Sequence, residues 1–367
     1  MANMTDKVRV LVVEDSLTVR RRLCDVLSGD PEIEVVGEAE NGQAAIELCD
    51  KLRPSVITLD MILPVMSGLA ATEYVMAHFP TPILVVSASF NRGEVFKTFD
   101  ALAAGAVDVL EKPRGDEPDG QWERTFLSTV KMVSRIKVIT HLRARLGPLG
   151  RATRPTPPPL AAGLGALAGG GGKVLRVVAV GASTGGPGAL VEVLRALPSS
   201  FSLPVLMVLH IDEPFGASFA DWLSSQIERS VVYPREGEAL AAHAGNVVMA
   251  PPGSHLVVDG SRLRLTAAPE RHSCRPSVDV LFESLAQEMG PATAAGLLTG
   301  MGRDGAAGLL RIRQAGGRTI AQDEATSVVY GMPREAALLG AAEQVLPLPE
   351  IGPALLAIVN HLERRLP

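Results

Sequence analysis

From residue 8 to residue 113 the chain alternates short β-branched apolar runs with stretches of helical period, and that alternation restricts the fold more than any other feature. "VRVLVV" (8–13), "IEVVGEA" (33–39), "SVITLD" (55–60), "PILVVSAS" (82–89) and "VDVLEKP" (107–113) read as strands. "LTVRRRLCDVLSG" (17–29), "NGQAAIELCDKL" (41–52) and "GLAATEYVMAHF" (68–79) read as helices, the first capped by Ser16 and ended by Gly29. Strands that alternate with helices imply a parallel sheet covered on both faces. A further helical pattern spans Trp122 to Leu146.

"RATRPTPPPLAAGLGALAGGGGK" (151–173) then interrupts the pattern. A stretch of Pro, Ala and Gly has too few large apolar side chains to bury a core, so it reads as a flexible linker. The alternation restarts with "VLRVVAVG" (174–181) as strand, "GGPGALVEVLRAL" (185–197) as helix and "LPVLMVLH" (203–210) as strand. "GNVVMAPPGSHLVVDGSRLRLTAA" (245–268) reads as antiparallel strands with a turn at Asp259-Gly260. A helix over "SVDVLFESLAQEM" (277–289), a strand–loop–helix over 294–316 and a C-terminal helix complete the block. The expected fold is therefore α/β with two doubly wound domains: an N-terminal (βα)5 unit and a C-terminal, mainly parallel sheet carrying an antiparallel hairpin. The expected boundaries are 1–146 (core 7–115), a linker at 147–173, and 174–367.

The 367-residue length agrees with two domains. A net charge of -5 gives no sign of nucleic-acid or anionic-membrane binding. The three cysteines, Cys24, Cys49 and Cys274, lack metal-ligand spacing, and the first two fit helical cores. The start "MANMTDKVRVLVVEDS" has no signal-peptide core and no run reaches membrane-span length, so a cytoplasmic protein is expected.

Two groups of polar residues fall at strand ends, where open parallel sheets bind ligands. In the first block these are Glu14, Asp15, Asp60, Ser87 and Lys112. Carboxylates gathered in one place repel one another unless a cation joins them, and hard oxygen ligands suit Mg²⁺. A lysine and a hydroxyl nearby suit a phosphoryl group, with Asp60 as the nucleophile that would take it.

The second group centres on "VVAVGASTGGPGAL" (177–190), where Ser183 stands at a strand-to-helix turn, placed either to cap the helix or to attack a substrate. A serine hydroxyl needs a base, and the base needs an orienting partner. His210 ends an apolar strand, and Asp304 lies in the glycine-rich loop of "LLTGMGRDG". Asp304 also reads as a cap for the helix that follows it. The Met301 N–H is a candidate oxyanion donor. A dinucleotide site fits poorly, because Ser183 takes the second glycine position of that motif. An α/β-hydrolase would order its triad Ser, Asp, His, unlike this chain.

The order of acidic pair, Asp, Ser and Lys-Pro over residues 7–115 resembles the receiver domain of two-component response regulators. "GASTGGPGAL", "RPSVDVLFESLA", "LLTGMGRDGAAGL" and "TIAQDEATSVVYGMPREA" resemble the chemotaxis receptor-methylesterase (CheB) family. The resemblance implies that Glu14, Asp15 and Asp60 organise Mg²⁺, that Asp60 is phosphorylated by a histidine kinase, and that Ser87 and Lys112 contact the phosphoryl oxygens. It implies Ser183, His210 and Asp304 as nucleophile, base and orienting acid. The activity it implies is hydrolysis of glutamate methyl esters on methyl-accepting chemoreceptors, with deamidation of some receptor glutamines. Arg271 and Arg275 would then face an acidic receptor helix. Three features depart from the pattern: Glu14 for the usual aspartate, Val109 for the usual aromatic switch residue, and "VLHIDEPFGASF" around His210. A catalytically idle receiver-based scaffold and a small-molecule serine esterase are the competing readings.

Overall fold

The computed structural model describes residues 7–88, 92–113, 120–136, 138, 176–211 and 213–363. The expected linker at 147–173 lies outside them. In the N-terminal block, β1 (Val8–Val13), β2 (Ile33–Ala39), β3 (Val56–Leu59), β4 (Ile83–Ser87) and β5 (Asp108–Glu111) alternate with α1 (Leu17–Ser28), α2 (Gly42–Leu52), α3 (Gly68–His78) and α4 (Arg92–Ala103), and α5 (Gln121–Val133) follows. The strands form one parallel sheet in the order β2-β1-β3-β4-β5. The chain reverses direction between β1 and β3, so a crevice opens beside Glu14 and Asp60, the residues that follow those strands.

The C-terminal block contains β6 (Val177–Ala182), α6 (Gly186–Arg195), β7 (Val205–Leu209), α7 (Glu213–Gln226), β8 (Val231–Val232), β9 (Val247–Met249), β10 (His255–Asp259), β11 (Arg262–Thr266), α8 (Val278–Glu288), β12 (Thr293–Leu297), α9 (Ala306–Gln314), β13 (Arg318–Gln322), α10 (Met332–Leu338), β14 (Gln344–Leu346) and α11 (Leu348–Glu363). Seven strands form a parallel sheet in the order β14-β13-β12-β6-β7-β9-β8, and β10 and β11 form a separate antiparallel hairpin. Every residue of β6, β7 and β12 is buried, as continuous apolar runs covered on both faces require.

Four local expectations change. Ser16 sits at the N-cap of α1 without a side-chain cap bond, and its N–H instead donates to Glu14 Oε1 at 3.2 Å. The helix expected over Trp122–Leu146 is α5, which ends at Val133; residues 139–146 lie outside the described residues. Residues 247–249, expected in an antiparallel unit, pair parallel with β7 because their apolar side chains complete the main core. Asp259 pairs with Arg262, which moves the hairpin turn to Gly260-Ser261.

The two blocks meet through aromatic side chains. Phe99 on α4 lies against Phe215, Phe219 and Trp222 on α7, with ring centroids 6.5, 5.1 and 5.4 Å apart. All four rings are buried. Trp222 Nε1 donates to Asp100 Oδ1 at 2.8 Å, which satisfies the indole N–H inside the contact. The Arg92–Asp221 pair at 2.8 Å is exposed at the rim and adds little.

Candidate active site and phosphoryl-acceptor site

β12, β6 and β7 are neighbours, so the residues after them share one edge. Ser183 follows β6. Its N–H donates to Thr299 O at 3.0 Å, and its carbonyl accepts from Gly186 N at 2.6 Å. The N-cap of α6 is Gly185, with no side-chain cap bond, so the Ser183 hydroxyl does not serve as a cap. Gly300 packs directly on it: a Cβ there would stand 2.8 Å from Ser183 Cβ and 2.3 Å from Met332 Sδ. Met301, next in that loop, is 56% exposed, and its N–H meets no acceptor among the described residues.

His210 follows β7 and reaches Asp304 through Nε2, 2.9 Å from Oδ2. A carboxylate oxygen accepts, so Nε2 carries the hydrogen and Nδ1 is left to take a proton. Cys274 Sγ stands 3.8 Å from Nδ1. Burial alone would lower the His210 pKa, but the hydrogen bonds with Asp304 and Cys274 outweigh it and raise the value to about 9. Ser183 and His210 line one cleft, with no hydrogen bond between them.

Asp304 does not cap the helix that follows it. Gly305, at φ 89°, is the N-cap of α9, in a left-handed conformation that glycine tolerates best. The Asp304 carboxylate points instead at the start of α8, where it accepts from Ser277 Oγ (2.8 Å), Val278 N (2.7 Å) and Asp279 N (3.1 Å). Burial favours the neutral acid, yet His210 and these donors hold Asp304 below its ordinary pKa.

In the N-terminal crevice Lys112 Nζ lies 2.9 Å from Asp60 Oδ2 and 2.8 Å from Glu14 Oε2. Asp60 Oδ1 accepts from Met61 N at 2.7 Å. Burial pushes both carboxyls up, and Asp60 raises Glu14 further. Burial would lower Lys112, but Asp60 and Glu14 hold it above its ordinary value. Glu14 and Asp60 are buried, Asp15 is exposed, and each places an oxygen within 4.8 Å of the others. The oxygens of these three carboxylates form a donor set that a hard divalent cation fits. Ser87 is buried and closes β4, its carbonyl accepting from Lys112 N at 3.0 Å, while its hydroxyl is 3.5 Å from Ala88 O.

The cleft between the two blocks, about 390 Å³, is lined by Leu102, Asp108, Val109 and Thr125 on one side and by Ser183, His210, Cys274 and Arg275 on the other.

Known proteins resemble this chain over nearly its whole length. The CheB methylesterase family profile matches residues 178–355, and the response regulator receiver domain profile matches residues 10–118. The protein-glutamate methylesterase/protein-glutamine glutaminase 2 of Anaeromyxobacter dehalogenans is 42% identical over 348 residues, covering 95% of this chain and 96% of the relative. The protein-glutamate methylesterase/protein-glutamine glutaminase 4 of Geobacter metallireducens is 41% identical, covering 96% and 99%. The chain belongs to the CheB methylesterase family. A crystal structure of the Thermotoga maritima CheB methylesterase catalytic domain is 34% identical and covers 51% of this chain and 100% of that one, with a TM-score of 0.48.

In this CheB family member several residues join the site that sequence reasoning left out. Cys274 meets His210 across a separation of 64 residues. Ser277, the first residue of the helix expected over 277–289, is its N-cap and accepts from Val280 N at 3.4 Å. Its second bond, to Asp304, depends on α8 packing against α9. Arg271 and Arg275, expected to face a substrate, are engaged within the CheB fold. Arg271 forms a two-pronged pair with Glu283 at 2.9 and 2.8 Å, and Arg275 donates to Ala268 O at 3.3 Å.

Proposed function

We propose that this protein is a phosphorylation-regulated protein-glutamate methylesterase and protein-glutamine glutaminase. Its N-terminal receiver (1–146) is joined by a linker (147–173) to a catalytic domain (174–367). One observation carries the reading: adjacent strand ends bring Ser183 and His210 to one cleft, and His210 is held 2.9 Å from the buried Asp304 behind it. Nδ1 of His210 takes the hydroxyl proton as Ser183 Oγ bonds to the ester carbonyl carbon. The Met301 N–H faces the oxyanion. The proton then passes from Nδ1 to the departing methoxide, and methanol leaves. Water, deprotonated by Nδ1, adds to the glutamyl-serine ester, and Nδ1 returns that proton to Ser183 Oγ as the glutamate carboxylate leaves. With a glutamine substrate the leaving group is ammonia.

In the receiver, Asp60 accepts a phosphoryl group from a histidine kinase. Glu14, Asp15 and Asp60 would hold Mg²⁺, which offsets charge on the phosphoryl oxygens when bound. Lys112 and Ser87 would contact those oxygens. Control is steric: α4 and β5 cover the esterase cleft, and phosphorylation favours a receiver surface that packs less well there. The substrate is a methyl-accepting chemoreceptor, met from the cytoplasmic side; no helix among the described residues is long and apolar enough to cross a membrane.

The test is methanol release from methylated receptor membranes by the full-length protein, with and without a small-molecule phosphodonor. Release stimulated by the donor supports the proposal. No release under either condition overturns it in favour of an idle scaffold. Turnover of simple esters with none of receptors points to a small-molecule esterase.

A further inference from the structure

The Asp304 carboxylate makes four hydrogen bonds: Oδ1 accepts from Ser277 Oγ and Asp279 N, Oδ2 from Val278 N and His210 Nε2. Three of the donors belong to the first residues of α8 and its cap. The position of α8 is set by close packing, because a Cβ on Gly181 or Gly305 would meet Val278 Cγ1 at 2.3 or 2.7 Å. The strand bearing Ser183 and the loop bearing Asp304 thus clamp the same valine.

Ser277 is itself held from behind. His255 is fully buried, and the triad does not use it. Its Nε2 lies 3.2 Å from Pro269 O, and its Nδ1 lies 3.1 Å from Ser277 N. A carbonyl only accepts and a peptide N–H only donates, so Nε2 carries the hydrogen and Nδ1 accepts from Ser277. A continuous line of bonds runs from Pro269 O through His255, Ser277 and Asp304 to His210. Asp279, with His272 at 3.0 Å, is the other acidic group beside Asp304.

We propose that Ser277, locked by His255, is a positioning residue for the esterase reaction, donating its hydroxyl hydrogen to Asp304 so that the carboxylate presents Oδ2 to His210. A carboxylate free to rotate would let the imidazole turn and move Nδ1 away from Ser183. Its contribution therefore acts on the chemical step and not on receptor binding. The inference rests on the triad reading of Asp304.

The experiment measures kcat and KM for methanol release from methylated receptor membranes, using full-length protein activated by a small-molecule phosphodonor. Ser277→Gly removes the hydroxyl, and glycine is an accepted helix cap. Its kcat should fall about 10- to 100-fold with KM within about twofold, as for loss of a hydrogen bond to a charged group. Ser277→Thr, which keeps the hydroxyl, should restore kcat to within about threefold of wild type. Unchanged kcat in a folded Ser277→Gly protein overturns the proposal. So does a threonine variant as slow as the glycine variant, or failure of both variants to unfold cooperatively, which would make Ser277 a folding residue. Ser183→Ala, run beside them, separates the two levels: if it keeps activity, the triad reading itself has failed.

Discussion

Asp60 and Asp304 are both buried aspartates beyond the ends of parallel strands, yet their protonation is driven in opposite directions. For both, burial is the largest influence and favours the neutral acid. Asp60 has Lys112 and backbone donors, but these do not offset burial, and its carboxyl stays above the ordinary value. Asp304 has His210, the Ser277 hydroxyl and the peptide N–H groups at the start of α8, and it falls below. The donor set decides, because burial is common to both. The contrast agrees with the two roles proposed for them: a phosphoryl acceptor needs a lone pair not fully committed, whereas a supporting carboxylate works best with both oxygens engaged.

The strongest test of this contrast separates the two sites. Ser183→Ala should lower methanol release by at least about 10⁴-fold while Asp60 still takes up phosphate from a small-molecule donor. Loss of phosphate uptake in that variant would show that the sites are one unit. Asp304→Asn should lower kcat by about 10³- to 10⁴-fold with KM little changed, because the amide holds His210 in the wrong tautomer. Near-normal turnover would reduce Asp304 to a structural ligand of α8.

Asp60→Asn reverses the experiment. Basal release should persist, and the response to the phosphodonor, about 5- to 150-fold for a coupling of ordinary size, should vanish. A retained response would locate the acceptor elsewhere. The pH dependence is the next effect. A base held at about 9 is protonated at neutral pH in this closed arrangement, so release should climb about tenfold per pH unit below that value. An acid limb at or below pH 6.5 would contradict the assigned hydrogen bonding. The stability sign is opposite. His210 is raised above its unfolded value, so its stabilisation is complete below about pH 6.5 and is lost as pH rises through about 9. Urea unfolding across that window measures it.

The smallest expected change comes from the contact between the domains. Phe99→Ala should raise basal release about fivefold and shrink the phosphodonor response, because the closed state loses its central ring. An unchanged basal rate would mean that the α4–α7 contact does not hold the cleft shut. Val109, the residue that stands where the resemblance leads one to expect an aromatic side chain, lines this same cleft.

Much of this was legible in local pattern. The β-branched runs ending at Val13, Leu59 and Leu209 announced buried parallel strands, and the polar residue after each run announced a site. Asp304 was harder to read. Followed by "GAAGLLRI", it had the pattern of a cap for its own helix, and nothing nearby in the chain reveals that its carboxylate meets a helix that begins 26 residues earlier. The arginines of "RHSCRPS" carried a signal that pattern alone could not resolve: charged residues in a polar loop suggest a contact surface, and here they also tie the loop to its own domain, while Arg275 lines the cleft.

What the amino-acid order determined alone was therefore periodic and local: two α/β blocks, their strand ends, and the chemical types waiting there. Side-chain burial repeats every two or 3.6 residues along one segment, so a segment carries its own signal. Strand order carries no such signal, since apolar runs of similar length can pair in many ways. The placement of β12 beside β6 depended on packing between distant segments, which brings Asp304 to Ser183 and His210. So did the start of α8 on Asp304, and Phe99 among the rings of α7. Each of these joins surfaces far apart in the chain, and their fit exists only once both sides have folded.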